Sequence, residues 1–234
     1  MIRVILWDVD GTLLDFKKAE RGSLQTCFKT FDLGPCPEDR VARYSALNDS
    51  FWKRLERGEI TKAELLPGRF EVFFKQEGIV FDQYDAFNKA YQRQLGEQIF
   101  FLEHSRDLLA KLKQTGQVRQ YAVTNGTKAA QDRKLEKSGL GVLFDRVFIS
   151  EEVGAEKPSP AFFETVWKTI GPVPKDEVLI VGDSLTSDMK GGSQEGIVCA
   201  WYNPSGAPMP PELDLTYDLR SLWEVESIVL GSHM

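Results

Sequence analysis

Apolar runs of strand length recur along the chain with helical spacing between them. The runs are VILW (4–7), QYAVT (120–124), RVFI (146–149), EVLIVG (177–182) and IVCAWY (197–202). Each is short, rich in Val and Ile and without clean alternation, which predicts strands buried on both faces of a parallel sheet. Segments near 104–115, 128–138, 159–170 and 185–195 carry helical spacing instead, as at Leu108, Leu109 and Leu112. Strand and helix alternating in this way predict an open α/β sheet.

Residues 16–96 break the pattern. Apolar positions recur there at helical spacing: Leu24, Phe28 and Phe31; Leu47, Phe51 and Leu55; Phe70, Phe73 and Phe74; Phe87, Tyr91 and Leu95. The expected organisation is a core of residues 1–15 and 97–230, with an all-helical insertion of residues 16–96 after the first strand. The proline-rich NPSGAPMPPELD (203–214) predicts a surface loop before a final short strand and helix. The last four residues, GSHM (231–234), read as an expression-vector remnant and are set aside with His233.

Composition narrows the partners. With 234 residues, 42% of them hydrophobic, the chain can bury a sizeable core and a smaller accessory domain. A net charge of −6 and no Lys/Arg run argue against a nucleic-acid polymer as partner. Cys27, Cys36 and Cys199 are scattered, odd in number and without metal-ligand spacing, so a reducing, cytoplasmic setting is expected. The start, MIRVILWDVD, turns acidic too early for a signal peptide, and no apolar run is long enough for a membrane span. Whether the chain is a monomer or a homodimer is left open.

Ligands of open α/β sheets bind beyond the carboxyl ends of the strands. Asp8, Asp10, Gly11 and Thr12 follow the first apolar run, and Thr124, Asn125 and Gly126 end the second. Gly182, Asp183 and Ser184 end the fourth, with Asp188 soon after, and Lys157 precedes the helix at 159. Carboxylates, a hydroxyl–amide pair and a lysine converging on one edge suit a cation and a phosphate. Hard oxygen donors suit Mg²⁺. Asp8 is a candidate metal ligand and nucleophile. Asp10, on the same side two residues on, is a candidate general acid and base. Thr124 and Lys157 would hold phosphoryl oxygens, and Asp183 would complete the metal shell.

Four stretches in order, DVDGT (8–12), TNG (124–126), KP (157–158) and GDSLTSD (182–188), resemble the motifs of the haloacid dehalogenase superfamily. The resemblance covers nearly the whole chain and implies a Rossmann-like parallel core with a helical cap inserted after the first motif. It implies a phosphatase with Asp8 as nucleophile, Asp10 as acid/base, and Mg²⁺ on the Asp8 and Asp183 side chains and the Asp10 carbonyl. Thr124, Asn125 and Lys157 would bind phosphate, and Asp188 would support metal and lysine from the outer shell. NDSFWKRLERGEITKAELLPGRFE (48–71), ISEEVGAEKPSPAFFE (149–164) and VLIVGDSLTSDMKGGSQEGIVCAWYNP (178–204) resemble the YjjG/YfnB branch, which contains pyrimidine 5'-nucleotidases. A nucleoside 5'-monophosphate is therefore the expected substrate. One departure is the general form DVDGT, where some branch members carry another acidic residue before the threonine.

Blander readings stand beside these. DVDGT alone could be an Asp-Gly turn, Lys157 a solvated surface lysine, and Asp183 or Ser184 a helix cap. In the cap, Asn48 and Arg69 are candidates for touching the substrate beyond its phosphate, against a solvated-face reading. Phe51, Trp52, Phe70, Phe73 and Phe74 could stack on a base, but their helical spacing favours cap core. His104 reads as structural, at the start of a core helix. Alternative functions are a 2-haloacid dehalogenase, a sugar-phosphate phosphatase or phosphomutase on the same fold, and a non-catalytic phosphate-binding relative. G-x-S-x-G, G-x-x-x-x-G-K-[ST] and G-x-G-x-x-G are all missing from the sequence. With two crossings to the core, the cap is expected to open for substrate and close against water.

Overall fold

The structure, a computed structural model, describes residues 1–209, 211, 213 and 215–231. By its internal contacts the chain divides into two compact units: Met1–Asp15, Phe101–Lys128 and Leu135–Met234, and Phe16–Phe100 with Ala129–Lys134. Of the tail read as a vector remnant, Ser232, His233 and Met234 lie outside the described residues, as do Pro210, Glu212 and Asp214 of the proline-rich loop.

The first unit is built on six parallel strands among the described residues: β1 (Val4–Trp7), β2 (Arg119–Thr124), β3 (Arg146–Ile149), β4 (Val178–Gly182), β5 (Val198–Tyr202) and β6 (Tyr217–Leu219). Their order is β3-β2-β1-β4-β5-β6. β1 and β4 are buried at every position, which is why neither alternates in sequence. Val4, Leu6, Tyr121, Val123, Val178, Ile180, Cys199 and Trp201 join one apolar cluster with Phe162, Phe163 and Val166. The alternate positions of these strands point to the other face. There Trp7 Nε1 donates to Gln120 Oε1, and Gln120 Nε2 donates to the Leu109 carbonyl. That carbonyl belongs to the helix Ser105–Thr115, so two buried polar side chains tie it to the sheet.

The second unit is carried by α1 (Phe16–Thr30), α2 (Glu38–Glu56), α3 (Lys62–Gln76) and α4 (Tyr84–Glu97). α3 starts at a capping box in which Thr61 and Glu64 satisfy each other's backbone N–H groups. The core of this unit is aromatic: Phe28, Tyr44, Phe70, Phe73, Phe74, Phe87 and Tyr91 are all buried in one cluster. Tyr44 stacks on Phe70 at 5.3 Å between ring centroids, and Phe70 meets Phe87 edge to face at 4.8 Å. Among the described residues, no helix is long and apolar enough to cross a membrane.

Candidate active site

Strand order reverses between β1 and β4, and the switch point of an open parallel sheet leaves a crevice at the carboxyl ends. β1 delivers Asp8 there, β4 delivers Asp183, and β2, paired to β1 with Trp7 opposite Ala122, delivers Thr124 and Asn125. Lys157 is fixed by its backbone. Its N–H donates to Asn125 Oδ1 at 2.8 Å, and its carbonyl accepts from Asn125 Nδ2 at 2.8 Å. Nδ2 also lies 3.3 Å from Ser187 Oγ. The Asn125 amide therefore grips the Lys157 peptide at both ends.

The Lys157 ammonium is buried. It donates to Asp8 Oδ1 at 2.9 Å, to Asp188 Oδ1 at 2.6 Å and to the Val123 carbonyl at 2.6 Å. Asp188 is engaged at both oxygens, since its Oδ2 accepts from the Ser184 N–H. Thr12 is the other buried organiser. Its hydroxyl donates to Asp8 Oδ2 at 3.1 Å and accepts from the Asp183 N–H at 3.1 Å. Asp8, Asp183 and Asp188 thus each offer a carboxylate oxygen within 4.8 Å of the others. Three carboxylates against one ammonium leave excess negative charge in a confined space, and hard oxygen donors so grouped fit a single small divalent cation.

The titration shifts express that excess. Burial raises Asp8 from 3.8 to about 7; Lys157 opposes the rise, and Asp188 and Asp10 add to it. Asp183 is also pushed up, by protein packed around it and by the charges of Asp8 and Asp188. Burial alone would lower Lys157, but Asp188 and Asp8 outweigh it and hold the ammonium above its ordinary value.

Glycines let the strand ends come this close. Gly11 sits at φ +93°, and a Cβ there would stand 2.5 Å from Asp183 Oδ2. At Gly182 a Cβ would stand 2.3 Å from Asp188 Oδ2.

The structure brings Asp8, Lys157, Asp183 and Asp188 together, with Asn125 behind the lysine. Thr124 is buried at the end of β2, where its hydroxyl accepts from the Gly126 N–H. Asp10 is half-buried in the turn after β1, bridged through its backbone to Leu14. Asn48 and Arg69 are buried, with hydrogen-bond partners inside the helical unit. Arg69 donates to Asn48 Oδ1 at 2.7 Å and Asn88 Oδ1 at 3.0 Å, and Asn48 donates to Glu20 at 2.8 Å. The solvated-face reading of these two residues gives way to an internal polar layer contributed by all four helices. His104 opens its helix with the side chain 86% exposed. Sequence reasoning missed the roles of Thr12, which lies inside the first motif, and of Trp201, whose Nε1 donates to the Asp183 carbonyl at 3.0 Å. Only the position of Thr12 in DVDGT could have signalled the former; nothing local signals the latter.

Residues 2–196 match the model of the haloacid dehalogenase-like hydrolases. The chain belongs to that family. It is 36% identical over 227 residues to the HAD-hydrolase YfnB of Bacillus subtilis, covering 97% of this chain and 95% of YfnB. It is 35% identical to the pyrimidine 5'-nucleotidase PynA of Streptococcus pneumoniae, over 94% of this chain and 91% of PynA. With the pyrimidine 5'-nucleotidase YjjG of Escherichia coli it shares 31% identity over 96% of both chains. A crystal structure of YfnB bound to magnesium, described as revealing interdomain movement, matches with a TM-score of 0.89 over 97% of this chain and 98% of that one.

Proposed function

We propose that this hydrolase is a Mg²⁺-dependent phosphomonoesterase acting through an aspartyl-phosphate on Asp8, with pyrimidine nucleoside 5'-monophosphates as its substrates. The observation that carries the reading is the convergence on Asp8: one oxygen is held by Lys157, the other by Thr12, and Asp183 and Asp188 stand alongside. Asp8 is thereby oriented at both oxygens, as a nucleophile in a near-attack geometry requires. The relatives named pyrimidine 5'-nucleotidases support the substrate class.

The chemistry follows from these placements. An Asp8 oxygen forms a bond to phosphorus as the bond to the ester oxygen breaks, and Asp10 protonates the departing alkoxide. The same group then removes a proton from water, which attacks phosphorus and restores the Asp8 carboxylate with release of phosphate. Lys157 and Thr124 hold equatorial oxygens, and Asn125 contributes by fixing the Lys157 backbone. Asp8, Asp183 and the Asp10 carbonyl would hold the cation, with Asp188 orienting Lys157; the cation supplies charge neutralisation at the phosphoryl oxygens. Asn48 and Arg69 enter through the helical unit they knit together, which we take as the determinant of substrate choice.

The test is a panel of phosphate esters, including UMP, dUMP, dTMP, purine monophosphates and sugar phosphates, with Mg²⁺ and with EDTA. Pyrimidine monophosphates should turn over fastest, chelation should abolish turnover, and Asp8→Asn should lose on the order of 10³-fold or more in kcat. Full activity in Asp8→Asn would remove the nucleophile. Halide release from 2-haloacids in EDTA would replace this reading with a dehalogenase.

A further inference from the structure

We infer that Glu103, outside every motif, is a positioning residue for Asp10; the inference deepens the proposed phosphatase reading and rests on it. Glu103 lies in the crossing that returns the chain to the sheet unit, and it gathers an unusual set of partners. Its Oε1 accepts from the Tyr202 hydroxyl at 2.9 Å, at the end of β5. Its Oε2 accepts from Ser221 Oγ at 2.5 Å and from the Leu222 N–H at 2.9 Å, and its carbonyl accepts from Trp223 Nε1 at 2.8 Å. Glu103 and His104 both have positive φ, 45° and 56°. Two successive left-handed residues that are not glycine persist only where surroundings over-determine them, and the four hydrogen bonds on Glu103 do so.

What this clamp holds is the floor of the Asp10 turn. On either side of Glu103 and His104, the Leu102 N–H and Ser105 Oγ both donate to the Leu13 carbonyl, at 3.0 and 2.6 Å. Phe101 bridges Leu14, and Leu14 bridges Asp10. The Leu14 carbonyl accepts from the Gly11 N–H at 2.8 Å, while the Leu13 and Leu14 N–H groups both donate to Val9. The backbone carrying Asp10 is therefore tied to residues 101–105, and those residues are tied through Glu103 to β5 and the 221–223 turn. A side chain that must deliver a proton to one oxygen depends on that continuity, because displacement of about 1 Å can cost on the order of 10²-fold.

The experiment separates positioning of the acid from general loosening by varying the leaving group. A nucleoside monophosphate expels an alkoxide that needs the Asp10 proton, whereas p-nitrophenyl phosphate expels a weakly basic phenoxide that does not. Glu103→Ala should lower kcat/KM for UMP, which reports transfer to Asp8 and not the later attack of water, about tenfold or more, part of what general acid catalysis supplies. Its kcat/KM for p-nitrophenyl phosphate should fall less than about twofold. Tyr202→Phe, which deletes one donor and leaves the carboxylate, should show a smaller loss of the same selectivity. It keeps the test available if Glu103→Ala does not fold. Asp10→Asn should show the same pattern more strongly. Equal losses on both esters, or none on either, in an enzyme whose wild type and Asp10→Asn behave as stated, would overturn the role of Glu103. Failure of the wild type to hydrolyse either ester would instead remove the phosphatase reading beneath it, and failure of Asp10→Asn to discriminate them would remove the acid role assigned to Asp10.

Discussion

Asp8 is held in a charge state that the fold itself disfavours. Its folded value, about 7, stands above its ordinary 3.8, so the stability linked to it is present below about pH 4 and lost as pH rises through 7. Asp183 moves in the same direction. In EDTA the melting temperature should therefore fall between about pH 5 and pH 8. Asp8→Asn should flatten that slope and melt roughly 2–4 °C higher at the upper end, even as activity disappears. A variant that melts lower at every pH would contradict the excess-charge account. Gly11→Ala tests the same crowding from the other side. A methyl group 2.5 Å from Asp183 Oδ2, on a backbone at φ +93°, must displace the turn or the carboxylate. Its kcat should drop on the order of 10²-fold, since misplacement by about 1 Å has that cost, with a weakened response to Mg²⁺ titration. Residues at this scale were legible where they fell in ordered motifs: Asp8 and Asp183 each follow an apolar run, and Lys157 precedes a helix. Asn125 was legible as a residue at the end of the second apolar run, but its hold on the Lys157 peptide was not, because 32 positions separate the partners and only the fold closes that distance.

Helices of the second unit show how far spacing reaches. The period of Phe70, Phe73 and Phe74 predicts one buried face, and those rings lie in the aromatic core. The same reasoning gives α3 no hint of its link to α2. Glu77, just past the end of α3, accepts from Arg43 and Arg40 of α2. Arg43 first, then Arg40, hold the Glu77 carboxyl at about 2 against an ordinary 4.5, despite burial that would raise it. A depressed carboxyl contributes stability above its unfolded value, lost as pH falls from about 4.5 through 2. Glu77→Gln should thus lower the melting temperature by a few degrees at neutral pH, with the gap closing as pH approaches 2. A gap constant across that window would mean the residue acts through packing alone. The layer of buried Glu20, Asn48 and Arg69 with half-buried Asn88 was illegible for a related reason. Asn48 and Arg69 read as solvated polar residues within their own helices, and only the bundle turns the four toward one another. Local periodicity also missed that the turn after β4 is wound as a π-type helix, Leu185–Met189, with Ser184 capping it and Asp188 inside it.

For the whole molecule, net charge and site charge pull the same way. A chain of −6 repels a phosphate dianion, and the cluster of Asp8, Asp183 and Asp188 would add to the repulsion at the proposed phosphate site. Strand order, which no single run reveals, sets this problem: placing β1 beside β4 at the switch point puts carboxylates from distant parts of the chain within 4.8 Å. A divalent cation bound there would relieve both the repulsion and the raised titration of Asp8, and so should act as a folding ligand as well as the proposed cofactor. Mg²⁺ at about 100 times its dissociation constant should add roughly 2.7 kcal/mol, or about 5–10 °C in melting temperature for a chain this size. Because binding must displace the proton that Asp8 retains near pH 7, the shift should be larger at about pH 8 than at about pH 6, with protons released on titration. Asp8→Asn and Asp183→Asn should each lose most of it. A stabilisation independent of pH and untouched by both substitutions would place the cation elsewhere. It would also leave the excess of carboxylates over Lys157 without its compensating charge.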